Sequence, residues 1–146
     1  MNSANKNPLR YLGRHRKKIK TRADREVILF AMFRLLRSDL GRAYAFWPKV
    51  REKFSLSEQS YFTGQLASRA AYKHDSRALA WFDEATNTSA PALLSDKQIK
   101  WKARAALRAK DWVTVLESIK AMSRLAQQAA VWRYWKAHAL KEQGKN

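Results

Sequence analysis

Large apolar side chains return every three to four positions along most of this chain. This spacing places them on one face of an α-helix. No segment alternates between apolar and polar residues in the manner of a half-buried strand. The predicted helices cover residues 22–37, 39–47, 57–72, 78–85, 99–107, 112–119 and 126–142. The pattern therefore predicts an all-α protein.

Two of these helices are preceded by a capping box. In this motif a Ser accepts a hydrogen bond from the backbone three residues later, and the Glu or Gln at that position binds back. Ser55 with Glu58 and Ser95 with Gln98 have the required spacing. Gly144 suits the end of the last helix, because glycine tolerates the left-handed conformation found there.

A repeat is visible in the acidic residues that start the second helix of each pair. Asp39, Asp75 and Asp111 are separated by 36 residues in both intervals. A two-helix unit of this length is typical of α-solenoids, in which each pair covers the apolar face left by its neighbour. We therefore predict that residues 21–146 form an α-superhelix of antiparallel helix pairs with a period of about 36 residues.

Residues 1–20 differ from the rest because their seven positive residues have no acidic residue among them. We expect this segment to be a basic, mostly disordered arm that could be helical near its end. It could serve as a tail for nucleic acid or a membrane surface, it could be a frayed terminus, or its start codon could lie inside a longer gene. The residues that could contact an anionic polymer are Arg14, Arg16, Lys17, Lys18 and Lys20.

The charge of the whole chain also favours an anionic partner. It has 30 Lys and Arg against 12 Asp and Glu, a net charge of +18. Nucleic acid, an acidic membrane surface and an anionic polymer such as cell-wall murein are the partners that such a charge favours. The alternative is a helical protein that is simply rich in Arg. The basic residues of the repeats could form a band on the concave or the convex surface; they are Arg69, Lys73, Arg77, Lys100, Lys102, Arg104, Arg108 and Lys110.

No cluster of residues predicts an active site. The chain has no Cys, and its three His are scattered without metal-binding spacing, so we predict no metal site and no cofactor. Asp39, Asp75, Asp96 and Asp111 are explained as helix caps. We identify no catalytic residue. No segment has the roughly 20 apolar residues of a membrane span, and residues 1–20 lack the apolar core of a secretory signal.

The aromatic residues have two interpretations. They could stack on sugars or bases, but their helical spacing favours a role in the core. This set is Trp81, Trp101, Trp112, Trp132, Tyr134 and Trp135. Tyr134 points away from the face shared by Trp132 and Trp135, so it is the best candidate for an exposed ring.

The C-terminal third contains Ala105-Ala106-Leu107-Arg108, then Asp111-Trp112, then Trp132-Arg133-Tyr134-Trp135 through Leu140 with Gly144. This series resembles the superhelical region of soluble lytic murein transglycosylases. The resemblance covers about residues 25–144, and the upstream segment from Leu56 to Phe82 is similar to the preceding repeat of that family. His138 departs from the pattern, which more often has Arg.

This resemblance implies a U-shaped superhelical domain that acts in the periplasm on peptidoglycan. The family cleaves the glycan to 1,6-anhydro products with a glutamate in a lysozyme-like domain, which we do not find here. Glu117-Ser118 imitates the family's Glu-Ser pair inside a repeat helix, and we assign it no catalytic role. The expected function is therefore a non-catalytic module that binds or scaffolds peptidoglycan, as a piece of a longer enzyme or on its own. The alternative is a stand-alone basic helical-repeat adaptor, or a protein that binds nucleic acid through its arm; the oligomeric state is left open.

Overall fold

A computed structural model describes residues 6–15 and 19–144, and in these ranges every regular element is helical. The α-helices are α1 (Pro8–His15), α2 (Arg22–Ser38), α3 (Leu40–Phe46), α4 (Leu56–Tyr72), α5 (Ala78–Thr86), α6 (Asp96–Arg108), α7 (Trp112–Ala121), α8 (Arg124–Gln127) and α9 (Ala130–Glu142). Two short 3₁₀ helices, Trp47–Lys49 and Arg51–Lys53, link α3 to α4. The predicted all-α class is confirmed.

Local capping chemistry sets the helix starts. The capping boxes at Ser55 and Ser95 are both formed, with reciprocal side-chain to backbone hydrogen bonds. Asp39 and Asp111 accept hydrogen bonds from the first turns of α3 and α7, as expected. A further capping box, between Thr21 and Asp24, opens α2. It adds to the two capping boxes predicted from the sequence.

Three helices end in the same left-handed turn. His74, Lys110 and Gly144 have φ values of 60°, 54° and 70°. These positions are 36 and 34 residues apart. At the first two, the N–H groups of the left-handed residue and of the following Asp bond back to the helix, which is the Schellman pattern of helix termination. The joint after α4 is thus repeated after α6.

Hydrogen bonds also tie each helix pair to the next one. The Arg69 guanidinium on α4 donates to the carbonyl oxygen of Arg37 at the end of α2, at 3.0 Å. The Arg108 guanidinium on α6 donates to the carbonyl oxygen of Ala71 at the end of α4, at 2.6 Å. The free carbonyls at a helix C-terminus need partners, and here the following pair supplies one.

The core is divided into two clusters that meet at α6. The larger cluster extends from Leu12 to Phe82 and includes Ala105, whereas the smaller extends from Ile99 to Ala139. α6 contributes Ala105 to the first and Ile99, Ala103 and Ala106 to the second. It therefore packs on both sides, against α4 and against α7.

Part of the predicted basic arm, residues 8–15, is helical. These residues form α1, which packs on α2 and buries Leu12 completely. Leu9, Leu12 and Ile19 are scattered among seven cations, which is a weak sequence signal for a helix, but burying one Leu contributes about 1.5–3 kcal/mol. Of the other arm residues, 1–5 and 16–18 lie outside the described ranges.

Two further details of the prediction are corrected. Asp75 does not cap α5; the cap position is Arg77, and the Asp75 carboxylate instead binds the Arg77 backbone and guanidinium. The predicted helix 126–142 is interrupted, so that α8 ends at Gln127 and α9 begins at Ala130. The apolar spacing of residues 126–142 predicts Val131 on the buried face, but its side chain is 51% exposed.

Candidate binding groove

An open groove of about 1150 Å³ lies between α2, α4 and α6. We call it the basic groove. Its positive residues are Arg34, Arg37, Arg69 and Lys97, and its aromatic residues are Phe30, Phe33, Tyr61, Tyr72 and Trp101. Binding pockets for small ligands are about 300–1,000 Å³, so the groove is large enough for a segment of a polymer.

The floor of the groove is one face of α4. Tyr61, Gln65, Ser68, Arg69 and Tyr72 line it at intervals of four, three, one and three residues. This spacing keeps them in line along the helix. Tyr61 and Tyr72 are 53% and 52% exposed, and eleven helical residues place them about 16 Å apart along the axis.

The walls carry the charge. Arg34 and Arg37 on α2 and Lys97 on α6 are exposed and face the groove from its two sides. Among the described residues that line the groove, none is Asp or Glu. The groove therefore presents an uncompensated positive surface that favours an anionic ligand.

A series of contacts between guanidinium groups and aromatic rings begins at Arg69 and Tyr72 in the groove and continues beyond it to Arg104 and Trp132. The Arg69 guanidinium lies 4.9 Å from the Tyr72 ring centroid, and Tyr72 meets Trp101 edge to face at 5.4 Å. The Arg104 guanidinium then lies 4.7 Å from the Trp101 centroid and 5.7 Å from that of Trp132 on α9. Such cation–π contacts orient the cations while leaving their charge uncompensated. The series connects α4, α6 and α9.

Of the residues that the sequence nominated for contact with an anionic polymer, Arg14 and Lys20 are exposed, and neither lines the basic groove. Arg16, Lys17 and Lys18 lie outside the described residues. The groove itself was missed. Its members come from three segments whose facing surfaces depend on tertiary packing, and only the α4 spacing could have suggested it.

The predicted basic band is not a single surface. Arg69 lines the groove, but Arg108 is bonded to the end of α4 and Arg77 belongs to a separate cluster with Tyr44 and Trp81. In that cluster the Arg77 guanidinium lies 4.6 Å from the Trp81 centroid and pairs with Asp75 at 2.8 Å. The pKa of Asp75 is held below its usual value because side-chain hydrogen bonds from Arg77 stabilise the carboxylate.

The aromatic residues divide between the core and the surface. Trp81 and Trp132 are buried, as the core interpretation predicts, whereas Tyr134 is 61% exposed, as expected for the ring on the other face. Trp101, Trp112 and Trp135 are half-buried. The helical spacing of residues 22–37 places Phe30 and Phe33 among its apolar positions, and in the structure both are half-buried and line the groove.

The acidic residues serve structural roles where the structure shows their partners. The pKa of Asp96 is lowered by hydrogen bonds from Ser123, first from its side chain and then from its backbone, which join the start of α6 to the turn before α8. The pKa of Asp24 is lowered by the backbone N–H groups of Lys20 and Thr21. Glu117 is exposed while the adjacent Ser118 is buried, so the two side chains occupy different environments.

The described part of the chain contains neither a metal-binding cluster nor a membrane-spanning helix. No group of three His, Asp or Glu side chains is placed there to hold a metal ion. None of the described helices combines the length and the apolar character required to cross a membrane.

Comparison with protein-family models, curated proteins and solved structures finds no match for this chain.

Proposed function

We propose that this protein is a non-catalytic superhelical module that binds peptidoglycan, comparable to the superhelical region of soluble lytic murein transglycosylases. In this proposal the helix pairs stack as a solenoid, the basic groove lies on the inner surface, and the protein works in the periplasm during cell-wall turnover. Bond cleavage is the task of a separate lysozyme-like domain in that family.

The single observation that carries the proposal is the basic groove. It crosses three successive helix pairs and combines four cations with exposed rings. Murein is an anionic glycan polymer, and both elements suit it: cations attract carboxylates, and aromatic faces pack against the apolar faces of sugar rings.

The repeated joints support the superhelical part of the proposal. The left-handed turns at His74 and Lys110 give successive pairs the same local geometry. Arg69 and Arg108 then fix each pair to the previous one. Units that contact mainly their neighbours through equivalent joints are the basis of a solenoid.

The residues of the family resemblance occupy structural positions, which fits a scaffold. Asp111 caps α7, Trp132 is 2% exposed, and Gly144 takes the left-handed conformation at the end of α9. None of these residues lines the groove. The resemblance thus supports a shared architecture, and the groove supports the ligand.

Co-sedimentation with purified sacculi tests the proposal. We expect binding that weakens as salt is raised, because screening reduces the attraction between exposed charges. We also expect no release of anhydro-muropeptides. Failure to bind sacculi at low salt would refute peptidoglycan binding, and release abolished by Glu117→Gln would refute the non-catalytic assignment.

The alternative, nucleic-acid binding through the arm, is measured in parallel with duplex DNA and RNA. It predicts affinity that falls steeply with salt and is lost when Arg14, Arg16, Lys17, Lys18 and Lys20 are replaced by Gln. Binding of nucleic acid that exceeds binding of sacculi, with this dependence on the arm, would favour the alternative over our proposal.

A further inference from the structure

We infer that the basic groove is a site for a glycan strand bearing carboxylate groups, in which Tyr61 and Tyr72 stack on sugar rings and the wall cations bind carboxylates. This inference rests on the proposed function and specifies the site and the ligand chemistry.

The two tyrosines define where sugar rings lie. Both are about half exposed at opposite ends of the α4 face. Tyr61 is supported by the Phe33 ring, which it meets edge to face at 5.8 Å, and Tyr72 is supported by Trp101 in the same manner at 5.4 Å. A supported ring keeps its orientation, so less conformational entropy is lost when a ligand packs on it.

The separation of the two rings sets the minimum length of the ligand. At about 16 Å along the helix axis, they cannot both contact one monosaccharide. Between them stand Gln65 and Ser68, with Gln98 on the α6 side. The Gln65 amide can donate and accept hydrogen bonds, as recognition of hydroxyl and acetamido groups requires. The Ser68 hydroxyl already donates to the Gly64 carbonyl oxygen at 2.8 Å and accepts from the Gln98 amide at 3.3 Å, so on the α6 side it is the second amide hydrogen of Gln98 that can reach a ligand. The ligand is therefore an oligomer with polar, uncharged groups along its axis.

The charges lie beside this axis. Arg34 and Arg37 stand on α2, and Lys97 stands on α6. Anionic groups of the ligand are thus expected on both sides of a central row of rings and amides. A glycan strand with carboxylates on its side chains has this arrangement, whereas a neutral glycan leaves the wall cations without partners.

Arg69 is positioned rather than free to move. It donates to the Arg37 carbonyl oxygen and packs over Tyr72. Because both partners belong to the groove, Arg69 connects the α2 wall to the α4 floor. We assign it a positioning role and leave direct contact with carboxylates to Arg34, Arg37 and Lys97.

Calorimetry with four probes tests the inference on the full chain. The probes are soluble uncross-linked peptidoglycan strands with their peptides, the same strands after amidation of the carboxylates, a neutral N-acetylglucosamine hexamer, and oligo-dT of similar length. We expect the native strands to bind most tightly and amidation to reduce affinity about tenfold or more, since amidation removes the carboxylate partners of several wall cations at once.

Matched variants locate the site. Tyr61→Ala, Tyr72→Ala and the double variant Arg34→Glu/Arg37→Glu should each weaken binding of native strands about tenfold, as loss of about 1.4 kcal/mol requires. The control for the rings is Tyr44→Ala, a tyrosine 42% exposed outside the groove. The control for charge is Lys120→Glu/Lys136→Glu, which makes the same change in net charge at exposed positions on α7 and α9. Both controls should bind within about twofold of the parent, and circular dichroism should show that all variants are folded.

The outcomes separate the two claims. If the chain binds sacculi but the groove variants bind as well as the parent, the inference is overturned and the proposed function stands. If the chain does not bind sacculi, both fail. Equal binding of native and amidated strands overturns the carboxylate assignment, and tighter binding of oligo-dT with the same variant pattern identifies the groove as a site for single-stranded nucleic acid instead.

Discussion

Glycine at the left-handed positions after α4 and α6 should increase the stability of the folded protein. His74 and Lys110 have φ values of 60° and 54°, and both side chains are exposed. An L-residue in this conformation costs about 1–2 kcal/mol, whereas glycine adopts it freely but loses about 0.5–1 kcal/mol more backbone entropy on folding. The difference predicts that His74→Gly and Lys110→Gly each raise the free energy of unfolding by about 0.5–1 kcal/mol.

Urea unfolding followed by circular dichroism measures this gain, and thermal unfolding should show an increase in Tm of about 1–4 °C for a chain of this size. His74→Ala and Lys110→Ala are the controls, because alanine removes the same side chain and retains the Cβ that causes the strain. If the alanine variants gain as much as the glycine variants, the left-handed strain is not the cause. If the glycine variants lose stability, the side chains contribute contacts that outweigh the strain.

Two further predictions concern the core and the acidic caps. Trp132→Ala should reduce the free energy of unfolding by about 3–5 kcal/mol because a large buried side chain is lost. Tyr134→Ala removes an exposed ring two residues later and should change the free energy of unfolding by less than about 1 kcal/mol. Comparable losses for the two variants in urea unfolding would contradict the assignment of Trp132 to the buried face of α9 and of Tyr134 to its exposed face. The pKa values of Asp75 and Asp96 are lowered in the folded state, so their contribution to stability is present above the unfolded pKa of about 3.9 and is lost as pH falls below it. Thermal unfolding between pH 6 and pH 2 should show this decline, and Asp96→Asn should reduce it; an unchanged decline in that variant would mean that the Ser123 hydrogen bonds do not contribute.

The sequence predicted the features that depend on neighbouring residues. The caps at Ser55, Ser95 and Asp111 are set within four residues, and they are all present. The end of the last helix at Gly144 is equally local. Such hydrogen bonds compete only with nearby alternatives, so the pattern of residues is sufficient to identify them.

Features that depend on packing were not predictable in the same way. The burial of Leu12 requires α2 as a partner, and the break after Gln127 separates two segments that are both compatible with a helix. Asp75 has the same place in the repeat as Asp111, but the neighbouring Arg77 offers its carboxylate two stronger donors. The groove forms only when three helices meet. The exposed tyrosines on α4 belong to a binding surface only because tertiary packing places Arg34 and Lys97 beside them.

The position of α6 between the two hydrophobic clusters has a consequence for hydrogen exchange. Because α6 belongs to both clusters, α7 to α9 can open while α1 to α5 retain their own buried contacts. In such an arrangement each hydrophobic cluster can open cooperatively by itself, without unfolding of the whole chain. The backbone amides of α7 and α9 should therefore exchange through a smaller opening free energy than those of α4, and α6 should mark the boundary between the two levels of protection.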